Sequence, residues 1–190
     1  MFRTLIILGF VLTSSSCTKW KTQKELKHLI HTEIHIPQME IVQNGIRRDS
    51  LANAPADKIK LVIYNSSGGC TACKVSHLKD LDNLFELSSI NEMFVPIVIF
   101  SPSPDEYGEL LRQLAYYPHN YPIYIDKKDA FMQLNRNLPV DTRCHTLLIS
   151  KTNRVVLVGN PTTNDALWHL FITVLENMCN NDGEYIAPNN

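Results

Sequence analysis

Cys70 and Cys73 stand two residues apart in the string Ser67-Gly-Gly-Cys-Thr-Ala-Cys73, and this pair is where the sequence concentrates its chemistry. A thiol attacks a disulfide only as the thiolate, so a working cysteine needs surroundings that favour negative charge. Lys60 to Tyr64 is a short apolar, β-branched run closed by Asn65-Ser-Ser-Gly-Gly69, which predicts a buried strand ending in a loop. Val75, Leu78, Leu81, Leu84 and Phe85 then recur at helical spacing, which places Cys70 at or near a helix N-terminus. Unpaired N–H groups and aligned peptide dipoles favour an anion there; His77 and Lys74 could add positive charge, but the first reading of Lys74 is solvated helix surface. Cys73, one turn on, is placed to resolve the mixed disulfide that a first attack by Cys70 creates.

The blander readings of the pair are an inert bridge or half of a zinc site. So short a loop makes a poor structural staple. A tetrahedral zinc site takes four ligands, commonly as two pairs, and the chain has no second CxxC. Redox chemistry is therefore the first reading, with metal binding open behind it. His28, His31 and His35 have spacings that would share a helical face, but the alternation of Ile34, Ile36 and Ile41 ends the helix by His35 and takes that third ligand away.

Of the five cysteines, Cys17 stands apart. Met1-Phe-Arg-Thr4 carries one positive charge into an apolar stretch from Leu5 to Leu12, followed by small polar residues to Ser16. That is the pattern of a secretory signal peptide, too short for a membrane span. Leu12-Thr-Ser-Ser-Ser-Cys17 resembles the cleavage box of a bacterial lipoprotein, with the leucine farther from the cysteine than usual, which makes Cys17 the expected lipidated residue of a tethered soluble domain. Cys144 and Cys179 complete four remaining thiols, whose three full pairings the sequence leaves open. The net charge of −1 with scattered basic residues removes nucleic acid and a polybasic membrane patch from the partner classes.

The elements that must position the pair alternate. Phe94 to Phe100 reads as a second buried strand, Asp105 to Tyr117 as a helix with an acidic start, Tyr121 to Asp126 as a short strand and Lys128 to Asn137 as a short helix. Thr146 to Ser150 and Arg154 to Val158 form a hairpin, and a last helix from about Asn164 carries Leu167, Leu170, Phe171, Val174, Leu175 and Met178 on one stripe. Ahead of these, Lys21 to about Leu29 reads as a tether or short helix and Glu33 to Val42 as a strand or hairpin; the tail after Cys179 is polar and expected to fray.

This order, strand, CxxC, helix, strand, helix, hairpin and C-terminal helix, resembles the thioredoxin superfamily. The segment Tyr121 to Asn137 is similar to the insertion of its TlpA-like and peroxiredoxin-like branch. Ser67-Gly-Gly-Cys-Thr-Ala-Cys73, His145-Thr-Leu-Leu-Ile-Ser-Lys151 and the lipobox resemble thioredoxin-like lipoproteins of Bacteroidetes. The resemblance implies an α/β thioredoxin-like fold, a central mixed β-sheet flanked by helices with an insertion before the C-terminal β-hairpin. It divides the chain into a signal peptide (1–16), a lipidated tether with short elements (17–50), the thioredoxin-like domain (51–179) and a polar tail (180–190).

On the same grounds Cys70 is the expected nucleophile and Cys73 the resolving thiol of an envelope thiol-disulfide oxidoreductase that needs no cofactor. Its expected partners are client protein thiols or disulfides and an upstream envelope redox partner. Its expected place is a lipid anchor facing the periplasm, in the outer membrane rather than the inner. Gly69, Thr71 and Ala72 complete the active-site loop, with Gly69 where the family often has an aromatic residue.

The family usually has a cis-proline before the strand that here begins at Thr146. This chain has Cys144 or His145 in its place, and the family loop lies against the CxxC pair, so either residue is expected to approach it. Two thiols and a histidine resemble the ligand set of Sco-type copper chaperones. Hence the alternative of a Cu(I)- or Zn(II)-binding chaperone using Cys70, Cys73 and His145 or Cys144. A redox-silent interaction module is the second alternative.

Overall fold

Two apolar runs with β-branched residues on both faces make the centre of the sheet. In the computed structural model, which describes residues 26–117 and 119–187, they are β3 (Ile59–Asn65) and β4 (Phe94–Phe100), paired in parallel from Ile59 opposite Phe94 to Asn65 opposite Phe100. Before them lie β1 (Met39–Gln43) and β2 (Ile46–Ala52). After them come β5 (Ile123–Ile125), β6 (Thr146–Ile149) and β7 (Val155–Val158). The strands form one seven-stranded sheet in the order β2-β1-β5-β4-β3-β6-β7. The β3–β4 and β4–β5 pairs are parallel, and β1–β2, β1–β5, β3–β6 and β6–β7 antiparallel. The sheet is therefore mixed, as expected.

Side chains alternate across a strand, so each central strand feeds two cores. Leu61, Ile63, Val98 and Phe100 join the larger one, with residues of α1 (Thr71–Ser76), the tight 3-10 turn His77–Leu81, α2 (Asp82–Ile90), α3 (Pro104–Tyr116) and α5 (Asp165–Asn180). Val62, Tyr64, Ile97 and Ile99 join the other, with Leu29, Ile34, Leu147, Cys144 and Phe131 of α4 (Ala130–Leu134). β5 and α4 are the insertion before the hairpin.

The single helix expected after the cysteines is three pieces. Leu78 and Leu81, three apart, share one face of the 3-10 turn, and both are buried there. The C-terminal helix starts where Asn164 caps it, its side-chain oxygen accepting from the Leu167 N–H at 2.9 Å. Its buried stripe is Phe171, Val174, Leu175 and Met178, and Leu170 is exposed at the margin.

The N-terminal expectations need adjusting. Helix covers residues 26–29, within the described part of the stretch ending at Leu29, and strand covers residues 39–42 of the stretch from Glu33 to Val42, running on to Gln43, with Glu33 in an isolated bridge to Arg154. The partner strand β2 follows a turn in which Asn44 (φ 51°) and Gly45 (φ 71°) are both left-handed, the conformation that two-residue hairpin turns require. A Cβ on Gly45 would sit 2.8 Å from the Ala115 Cα, so this turn also needs glycine to lie against α3. The hairpin β1–β2 straddles residue 51 and is part of the same sheet. The tail folds back: Asn177 exchanges two side-chain hydrogen bonds with the Ile186 backbone, at 2.9 and 3.0 Å. The expected signal peptide, residues 1–16, and the expected lipidation residue Cys17 lie outside the described residues. No described helix is long and apolar enough to cross a membrane.

Candidate functional site

β3 ends at Asn65, and the chain reaches the cysteine pair through Ser66-Ser-Gly-Gly69, where Gly68 (φ 85°) and Gly69 (φ 76°) are both left-handed. Cys70 is the N-cap of α1. Its backbone is extended and its Sγ accepts from the Cys73 N–H at 3.1 Å. Cys70 and Cys73 are joined as a disulfide with Cα atoms 5.2 Å apart. Both cysteines are exposed, as are Gly68, Gly69 and Ala72, while Thr71 is half-buried. The first turn of α1 holds no acidic residue to oppose an anion on Cys70.

Two charged side chains hold the loop. Lys74 Nζ donates to the Ser66 carbonyl at 2.6 Å and to the Gly68 carbonyl. Glu106, in the first turn of α3, accepts the Gly68 N–H at 2.8 Å with one oxygen and the Ser103 N–H at 2.9 Å with the other. Those backbone donors, Ser103 first, hold the Glu106 carboxyl below the usual range. The cavity beneath is about 10 Å³, lined in part by Thr71, Lys74, Ser101 and Glu106. That is room for about one water molecule, so any larger partner of the disulfide must meet it at the surface. His77 points elsewhere, its Nδ1 2.9 Å from Asp80.

Cys144, His145 and Thr146 lie at the same end of β3, where the Tyr64 N–H donates to the His145 carbonyl at 3.0 Å. Asp141 caps the turn Thr142–Cys144, and Cys144, 2% exposed, packs in the core that holds Tyr64, Phe131, Leu138 and Leu147. Val75 of α1 belongs to the other core, so the pair's helix and the Cys144 thiol pack on opposite faces of the sheet. His145, 4% exposed, donates from Nε2 to the Pro139 carbonyl at 2.8 Å and meets Tyr64 edge-on at 5.4 Å; its Nδ1 is buried without a hydrogen-bond partner. Thr146 is in β6 opposite Ile63. Every described peptide bond is trans.

Of the alternative metal set, Cys70 and Cys73 are in the exposed turn and Cys144 and His145 in the buried one. Among the described residues no group of three or more His, Cys, Asp or Glu is placed to hold a metal ion, and His28, His31 and His35 form none either. Cys144 and Cys179 also lie in different cores, with Cys179 half-buried on α5 and accepting from Asn91 Nδ2 at 3.4 Å.

Sequence reasoning missed the part played by Glu106. Its only local trace is Ser103-Pro-Asp-Glu106, a serine followed three residues later by glutamate, the signature of a capping box. The sequence reads Lys74 as solvated helix surface or added charge, and the structure uses it as a strap on the loop. A third polar group, Tyr64, Ser101 and Asp129, closes the same end of the sheet. The Tyr64 hydroxyl donates to Asp129 Oδ1 at 2.5 Å and Ser101 Oγ lies 3.1 Å from the same oxygen. Burial, then the bond to Asp129, pushes the Tyr64 hydroxyl well above the usual tyrosine range.

No protein-family model matches the sequence and no curated protein matches it. Solved structures do. A candidate thiol:disulfide interchange protein DsbE from Chlorobium tepidum superposes with a TM-score of 0.51 at 14% identity, over 76% of this chain and 97% of that one. A candidate protein disulfide isomerase from Bacteroides thetaiotaomicron gives 0.47 at 12%, over 80% and 90%. A thioredoxin-like protein from Bacteroides caccae gives 0.48 at 17%, over 86% of this chain and 57% of its own. With the β3–β4 parallel pair, the CxxC at the start of α1 and the β6–β7 hairpin before α5, the first of these likenesses identifies the fold of this chain as thioredoxin-like.

Proposed function

We propose that the chain is a thiol-disulfide oxidoreductase, with Cys70 as nucleophile and Cys73 as resolving thiol. The observation that carries this reading is an exposed disulfide between two cysteines at the start of a helix, with the first sulfur accepting the N–H of the second at 3.1 Å. In the reduced protein that N–H faces a Cys70 thiolate, where a charge-assisted hydrogen bond is stronger than a neutral one.

The exchange balances as follows. The Cys70 thiolate attacks one sulfur of a client disulfide, a Cys70–client S–S bond forms, and the other client sulfur leaves as thiolate. Cys73, deprotonated, then attacks Cys70 Sγ, the Cys70–Cys73 bond forms, and the second client sulfur leaves. The client gains two electrons and takes up two protons, and the protein is left oxidised. A dithiol donor upstream restores it by the reverse sequence, so no cofactor is needed. The exposure of the disulfide and of Gly68, Gly69 and Ala72 beside it supports protein clients over small molecules.

The same reading takes reduction of client disulfides as the working direction and the bacterial envelope as the place, with Cys17 as the lipid anchor and a periplasm-facing outer membrane as its host. The neighbour named a thiol:disulfide interchange protein supports the exchange chemistry by analogy of fold. Insulin-disulfide reduction by the reduced protein tests the chemistry: turbidity should appear with wild type, and a rate no better than that of Cys70→Ser overturns the proposal. Fractionation of a Cys17→Ser variant tests the anchor, with loss from the membrane fraction expected.

A further inference from the structure

The loop before Cys70 should be loose, because Ser67, Gly68 and Gly69 are exposed and two successive left-handed glycines impose no order of their own. It is nonetheless held at one residue by both of its backbone polar groups. The Gly68 N–H goes to Glu106 on α3, and the Gly68 carbonyl, with that of Ser66, goes to Lys74 on α1. Glu106 is itself fixed by the Ser103 N–H, and Lys74 follows Cys73 directly in α1. The grip thus ties the loop to the two helices beside it, two residues upstream of the nucleophile.

We propose that Lys74 and Glu106 are a pair of positioning residues that clamp Gly68 and thereby hold Cys70 Sγ against the Cys73 N–H. This rests on the oxidoreductase reading for its purpose and on the geometry for its existence. The two charges are opposite, which separates a clamp from a simple field effect. As a bare negative charge, Glu106 disfavours the Cys70 thiolate, so its removal would make the thiol more acidic. As one jaw of a clamp it favours the thiolate, so its removal makes the thiol less acidic.

The test is the pH dependence of iodoacetamide alkylation at Cys70 in the reduced full-length protein, read on the Cys70 peptide by mass spectrometry, together with hydrogen exchange at the Gly68 amide. Lys74, Glu106, Asp105 in the same first turn of α3, and the His77–Asp80 pair are charged groups to account for around the loop. Glu106→Ala should raise the alkylation midpoint and slow the reaction at pH 7 by about threefold to tenfold, with faster Gly68 exchange. Glu106→Gln keeps a carbonyl oxygen for the Gly68 N–H and should stay near wild type. Lys74→Met should raise the midpoint as well, as loss of its charge alone would, so faster Gly68 amide exchange in Lys74→Met carries the test if Glu106→Ala fails to fold, and unchanged exchange there overturns the clamp.

A midpoint lowered equally by Glu106→Ala and Glu106→Gln, or unchanged in Glu106→Ala and Lys74→Met alike, overturns the clamp. Neither result depends on insulin reduction. A clamp without turnover therefore fails the oxidoreductase reading alone, and turnover without a clamp fails only this inference.

Discussion

Two cysteine-bearing turns meet the same end of the central strands and are held in opposite ways. The 66–73 turn leaves both its cysteines exposed and is fixed by side-chain bonds from Lys74 and Glu106 to its backbone. The 141–145 turn buries Cys144 and His145 and is fixed by packing against Tyr64, Phe131 and Leu138. The difference teaches where chemistry can sit. A sulfur that must meet another protein needs exposure and a position held without burial, whereas a buried thiol behaves as a small hydrophobe. Of two cysteine-bearing turns near one strand end, one thus presents an exposed disulfide and the other contributes a piece of core.

The largest effect should break the comparison in activity. Cys70→Ser should reduce insulin turbidity to the uncatalysed background. Cys144→Ala should keep the exchange rate and lose about 1–2 kcal/mol of stability, read from the denaturant midpoint. If Cys144→Ala also removed turnover, the two turns would be one site and the comparison would fail.

The second effect concerns stability alone. Phe131 is fully buried and stacks on Tyr64 with ring centroids 5.0 Å apart. Phe131→Ala should cost about 3–5 kcal/mol, measured by urea unfolding, while the alkylation rate of Cys70 in the folded protein stays unchanged. A change in that rate would show that the buried turn props the exposed one.

What could be read from the sequence follows the same division. β3, β4, β6 and α5 were legible because burial writes itself as apolar runs and stripes. β2 was not, since Ile46-Arg-Arg-Asp-Ser-Leu-Ala52 lacks clean alternation; the Asn44-Gly45 dipeptide was its one signal. The cysteine pair was legible as a local string. The place of Cys144 followed from its position before β6, but the core that its side chain joins depends on the whole sheet. The bond from Gly68 to Glu106 spans 38 residues and runs from backbone to side chain, so it leaves no periodic trace.

A third and smaller effect probes the polar edge between the turns. Tyr64→Phe deletes the bond to Asp129 and should cost about 1–2 kcal/mol at neutral pH. Its pH dependence has a definite sign. The Tyr64 hydroxyl titrates above its ordinary value in the folded chain, so its share of stability is whole below pH of about 10 and is lost as the pH climbs from there toward the folded value. Stability measured at high pH should therefore fall less steeply in Tyr64→Phe. Burial raises Tyr121 and Tyr124 too, so the slope should become shallower without vanishing.

The smallest effect tests whether the buried turn has any polar support of its own. Asp141 accepts from the Arg143 backbone N–H at 3.0 Å and from its guanidinium at 2.6 Å, and these bonds hold its carboxyl down to about 2. A depressed carboxyl contributes stability above its unfolded value of 3.8, and that contribution is lost as the pH falls through about 2. Arg143 is 80% exposed, so salt should screen most of the pair. Asp141→Asn keeps a capping oxygen but loses the charge, so it should fall slightly below wild type at neutral pH, converge with it in acid and flatten the acid limb. The carboxyl's own midpoint can be read by NMR titration. If Asp141→Ala instead cost as much as Phe131→Ala, the cap rather than the core would be holding Cys144 in place, and the contrast between the two turns would be one of degree.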